Sequence, residues 1–185
     1  ELLILGSIIL NWRKSLSAAK KNLHSVPYRF IVAADIWIFL NLTLAILMSI
    51  PAINKYTHGT HITVAHAMGS TIGINTMILF ASLYYIFERN DGAVKNRKTR
   101  IGFFVVNLSL ILFWVTLIMS GIVKAMENEK GIVFQKMMLQ LQPLFKLFNS
   151  AGLGIFVGIV LLSIPLLTKF KRIILSTDKL LSKKS

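Results

Sequence analysis

Four apolar runs of roughly twenty residues, separated by short basic blocks, limit what this chain can fold into. They lie at about 29–50, 63–87, 101–123 and 147–168. A run of about 20 apolar residues is long enough to cross the hydrocarbon of a bilayer as an α-helix. Within lipid, backbone N–H and C=O groups have to be satisfied inside their own segment, which selects helices over loops and open sheets. The pattern predicts an all-α, polytopic transmembrane bundle forming a single membrane domain over residues 1–185. A shorter apolar run, Leu2 to Leu10, precedes the four. It is too short to span and has no basic segment ahead of it, so it does not read as a signal peptide. It reads as a partial span, the end of a helix that starts upstream.

Composition supports this only weakly: the chain is 55% hydrophobic, a little above the ~45–50% of soluble domains. The placement of charge decides. Of 21 Lys and Arg residues, 16 fall in segments 11–29, 88–100 and 169–185, and five in the connections 51–62 and 124–146. The positive-inside rule puts the first group, and with it the C-terminus, in the cytoplasm. The net charge of +14 is then matched to a lipid surface rather than to nucleic acid. The chain has no cysteine, which excludes disulfides, thiolate metal sites and iron–sulfur clusters from it.

Pro51 is expected to close the first span, with 51–62 a polar outer connection. Residues 124–146 read as a longer mixed connection in which Phe134 to Phe145 forms an amphipathic surface helix. Gly152, Gly154 and Gly158 permit close approach of another helix or of a flat cofactor, ordinary helix packing being the plainer reading.

Three of the four histidines, His58, His61 and His66, fall between Tyr56 and Met68, where the outer turn enters the second span. An imidazole facing hydrocarbon is costly unless a metal, a haem iron or a polar neighbour satisfies it. Met68, another haem-ligand type, follows His66 by two residues. Positions i and i+2 of an α-helix are about 200° apart, so the two cannot share one iron. They can serve two haems on either side of one helix, and Ala67, Gly69 and Ser70 are small enough for porphyrin planes to pack there. The same residues also fit a His66 bonded to a neighbouring helix and a Met68 that fills core. His58 and His61 suit the interface, and His58 with Thr60 suits the surroundings of a haem propionate. Asp35 is the one acid well inside a span. Asn41, Thr43, Asn75 and Thr76 suit either a polar route or helix–helix bonds.

The stretch from Pro51 to His66, with Asn54–Gly59 followed by Thr63–His66, resembles the turn and helix of the large subunit of respiratory nitric oxide reductases. These belong to the haem–copper oxidase superfamily. The chain as a whole resembles the last third of that subunit, within a twelve-helix core. The resemblance implies that His66 is the axial ligand of a high-spin haem b. It also implies a second histidine two residues later, on a low-spin haem b. Here that residue is Met68, a departure that points to His/Met ligation or to altered binding of that haem. The implied activity is reduction of nitric oxide to nitrous oxide at a haem b/non-haem iron centre, in a bacterial inner membrane. Electrons would come from quinol or cytochrome c, and protons from the outer side. The non-haem iron ligands of the resembled family lie upstream of this region, so the remainder of the subunit or a partner chain has to supply them. Alternatives are an oxygen reductase, a nitric oxide dismutase, a non-catalytic membrane cytochrome b and a haem-free bundle.

Overall fold

The computed structural model describes residues 25–91 and 97–182, together with 7, 10 and 11. The partial span expected over 1–10 lies almost wholly outside the described residues, as does most of the basic segment 11–29. The described chain runs α1 (Val26–Ser49), α2 (Pro51–Thr57), α3 (His61–Met68), a π-helical segment (Gly69–Thr76), α4 (Met77–Asp91), α5 (Arg97–Glu129) and α6 (Phe134–Ser182). No strand occurs among the described residues. Among the described residues four helical stretches are long and apolar enough to cross a membrane: Val26–Ser49, His61–Glu88, Arg97–Glu129 and Phe134–Leu175.

Local chemistry sets the ends of these elements. The Ser25 side chain caps α1 by accepting from the Tyr28 amide at 3.4 Å, with proline in the first turn. Ile50 is extended, as a residue before proline tends to be. Pro51 then stands in the first turn of α2, where its missing N–H costs nothing. The polar connection is therefore itself mostly helical. A tight turn follows, in which Gly59 has φ +70°, and Thr60 caps α3.

The stretch 124–146 departs from its expectation. α5 continues to Glu129, the turn is confined to 130–133 around Gly131 at φ +65°, and Phe134–Phe145 forms the first turns of the spanning helix α6. There is no separate surface helix. Tertiary contact overrides the two prolines within α6: Met137 and Leu141 are buried, and Phe148 stacks on Phe113 at 4.3 Å.

α5 and α6 pack closely along their length. A Cβ on Gly158 would meet the Val106 backbone nitrogen at 2.7 Å, which is the close approach that small residues allow between membrane helices. Phe30, Trp37, Tyr84, Leu110 and Leu162 form the centre of the core, and the Tyr84 hydroxyl donates to the Leu162 carbonyl at 2.8 Å. Side chains such as Leu108 (72% exposed) and Leu153 (65%) point outward, a distribution suited to lipid or to further helices.

Candidate functional site

The span His61–Glu88 presents a sharply divided surface. Ile62, Ala65, Gly69, Gly73 and Met77 are buried, whereas Thr63, Val64, Ala67 and Thr71 are exposed. At 100° per residue His66 and Met68 fall on the two edges between these faces, and both are half-buried. The exposed strip between them is built mostly of small side chains. Nδ1 of His66 is buried and has no hydrogen-bond partner. Met68 packs against the hydrophobic core.

One turn after His66 the helix widens into the π segment. Single π turns within α-helices recur at functional sites, and here neighbouring side chains fill the space along the buried face. A Cβ on Gly69 would lie 2.6 Å from Asn41 Oδ1 and 3.3 Å from Trp114 Nε1; on Gly73 it would lie 2.6 Å from Trp37 Cδ2. Gly69 is thus small because α1 and α5 press on it, not because it faces the exposed strip. Trp37 and Trp114 meet edge-to-face at 6.0 Å. The Asn41 amide donates to Ser70 Oγ at 2.6 Å, and Ser70 Oγ donates to the His66 carbonyl at 3.3 Å. Sequence reasoning noted Asn41 as an amide able to join helices. Its partner Ser70, 29 positions away, left no signal in either local pattern.

The outer turn forms a second polar region. Lys124 Nζ donates to the Gly59 carbonyl at 3.0 Å, and the Thr60 hydroxyl donates to the Thr57 carbonyl at 2.7 Å. His58 and Thr60 line one cavity of about 400 Å³, together with Lys55, Tyr56, Lys124 and Glu129. The Glu129 carboxylate beside the Tyr56 hydroxyl, through its acceptor oxygens and its charge, holds the Tyr56 ionisation above the ordinary tyrosine value. His61 stands apart, its ring 5.5 Å from that of Phe145 and its Nδ1 buried without a partner. The three histidines do not converge. Among the described residues no group of three His, Cys, Asp or Glu side chains could hold a metal.

Residues 2–167 match the family of cytochrome c and quinol oxidase polypeptide I. The chain belongs to that family. It is similar to cytochrome c oxidase subunit 1 of Rhodobacter capsulatus, 26% identical over 115 residues, which cover 58% of this chain and 22% of the relative. It is also similar to a cytochrome c oxidase subunit 1 homolog of Agrobacterium tumefaciens strain T37, 24% identical over 124 residues, 63% of this chain and 22% of the relative. The chain thus spans about a fifth of the length of these curated relatives. The haem–copper oxidase superfamily expected from the outer turn and His66 is shown; its nitric oxide reductase branch is a finer assignment.

Within an oxidase polypeptide I, the second span offers His61, His66 and Met68 as side chains of haem-ligand type. A buried, unpaired ring nitrogen costs roughly 1–3 kcal/mol unless iron or a polar group outside these helices completes it. His61 and His66 both have such a nitrogen; His66 is the one on the edge of the exposed strip of small side chains, which leaves room for a flat ring.

Proposed function

We propose that this chain is the C-terminal part of the catalytic subunit of a membrane reductase. In it His66 serves as the axial ligand of a high-spin haem b, and nitric oxide is the molecule reduced. The observation that carries this is His66 itself: half-buried, its Nδ1 unpartnered, on the edge of a strip of small residues in a polypeptide I family chain. Nitric oxide is preferred as substrate because the run from Asn54 to His66 resembles the reductase branch. Haem b, when bound, supplies the iron at which that gas is reduced to nitrous oxide. Residues outside this chain complete the centre with a non-haem iron.

This chain's share of the work is positional. α1 and α5 clamp the buried face of the helix at Gly69 and Gly73, and the Asn41–Ser70 bond holds the turn that follows His66. His58 and Thr60 share their cavity with Lys55 and Lys124, two cations against the one carboxylate of Glu129, which leaves a net positive polar wall for a carboxylate such as a propionate. Met68, at the opposite edge, is the proposed ligand of a low-spin haem b, and a thioether there raises its potential. The basic helix ends and the C-terminus face the cytoplasm of a bacterial inner membrane. The partners are the rest of the catalytic subunit and quinol or cytochrome c as electron donor.

A second reading has its own support, because both relatives bear the name cytochrome c oxidase subunit 1: the molecule reduced is oxygen. Gas-electrode measurements on the purified complex separate the two. Consumption of nitric oxide under anaerobic conditions, abolished by His66→Ala together with the high-spin haem signal, is the expected result. Oxygen consumption without nitric oxide consumption moves the assignment to an oxygen reductase. A wild-type complex with no Soret band would falsify the haem assignment.

A further inference from the structure

At the end of the bundle opposite the His58 turn, two cavities share a wall. One, of about 380 Å³, is lined by Arg29, Arg97 and Arg100 with Thr99, Val26 and Phe103. The other, of about 960 Å³, runs between α1 and α5 and shares Arg29, Arg100 and Phe103 with the first. Its remaining walls are almost wholly apolar, including Ile36 and Leu40 of α1 and Leu108 and Ile111 of α5. The one amide in it, Asn107, donates to the Phe103 carbonyl at 2.9 Å and so asks nothing of an occupant. Neither cavity has an acidic side chain among the described residues that line it.

We infer that this pair of cavities binds an anionic phospholipid of the cytoplasmic leaflet, its phosphate at Arg29, Arg97 and Arg100 and an acyl chain along the groove. Three features select that occupant. Guanidinium groups match phosphate oxygens in charge and fork geometry, and three of them converge where a helix leaves the membrane. The groove is continuous with that basic mouth, so head and tail are recognised together. Its length also fits: from Arg29 to Leu40, and from Arg100 to Ile111, is eleven residue steps or about 16 Å of helix rise. That is about half the ~30 Å hydrocarbon thickness, one leaflet deep. A further helix of the subunit would not need the arginines, and free phosphate would not need the groove.

Trp37 lines the groove, so brominated lipid bound there quenches its fluorescence. The test uses the intact delipidated complex, titrated with brominated phosphatidylglycerol, brominated phosphatidylcholine and inorganic phosphate. Saturable quenching by phosphatidylglycerol is expected, with phosphatidylcholine at least tenfold weaker. The triple variant Arg29→Gln, Arg97→Gln, Arg100→Gln is expected to bind roughly a hundredfold more weakly, from about fivefold per basic residue. Should the triple variant fail to fold, Arg97→Gln with Arg100→Gln, both exposed positions, is expected to lose about twenty-five-fold on the same basis. Equal binding of the two lipids, or unchanged binding by the arginine variants, overturns the site. Displacement of the lipid by millimolar phosphate makes it a phosphate site instead, and absence of saturable quenching assigns the groove to another part of the subunit. None of these readouts depends on haem or turnover.

Discussion

Asn41 in α1 donates to Ser70 at 2.6 Å, tying the first span to the helix that carries His66 one turn earlier. Because Ser70 donates in turn to the His66 carbonyl, the orientation of that residue is set from α1 as well as from its own helix. Side-chain hydrogen bonds between membrane helices couple by ~0.6 kcal/mol on average and by about 1.7 at most. A double-mutant cycle of Asn41→Leu and Ser70→Ala is expected to give a coupling in that range by thermal or denaturant unfolding. In the haem-loaded complex Asn41→Leu is also expected to shift the iron–histidine stretch in resonance Raman spectra. Loss of stability with an unmoved stretch would leave Asn41 a helix staple only.

Gly73 faces the ring of Trp37, itself 2% exposed and in edge-to-face contact with Trp114. An added methyl has no flexible neighbour to displace. Overpacking of this kind costs about 1–3 kcal/mol, so Gly73→Ala is expected to lower the unfolding midpoint markedly. Gly152→Ala is the control, since its added Cβ would sit 3.7 Å from Phe113, at ordinary contact distance. Equal effects of the two would mean that close packing is not what keeps residue 73 small.

The four spans were legible because apolar runs of bilayer length leave the backbone few alternatives, and the place of His66 inside the second span was legible with them. The ends of the spans were not. Lys124 and Glu129 look like connection in sequence, yet α5 runs through both, since long charged side chains reach water from a helix end. The π segment could not be read either: its wide turns lie where Trp37 and Asn41 meet Gly73 and Gly69, a property of distant residues. The Arg29, Arg97 and Arg100 cluster was visible only as two separate basic blocks. Folding brings the end of one onto the end of the other.

The pairing of Tyr56 with the Glu129 carboxylate predicts a pH dependence for the outer turn. The folded-state value of Tyr56 lies above its ordinary value of about 10, so the neutral phenol is the form held in the fold. Its contribution is complete below the unfolded value and is lost as pH rises through the folded one. Ultraviolet difference titration is expected to show a late-ionising phenol that is absent in Tyr56→Phe and returned to the ordinary range in Glu129→Gln. A titration unaffected by Glu129→Gln would show that the carboxylate does not govern it.

Met68 offers the sharpest test of the proposed ligand pair. Its side chain packs against the core on the edge of the helix opposite His66, so Met68→Leu, a nearly volume-conserving change, should cost less than about 1.5 kcal/mol in stability. A thioether bound to iron and a thioether filling core then separate cleanly. Under ligation, Met68→Leu removes the low-spin signal in low-temperature EPR while leaving the high-spin signal of the His66 haem. Met68→His restores a low-spin signal at a lower potential, because exchanging thioether for imidazole withdraws the stabilisation of the reduced iron. Under core filling, neither variant moves the spectrum, and any low-spin haem in the complex draws both ligands from outside this chain.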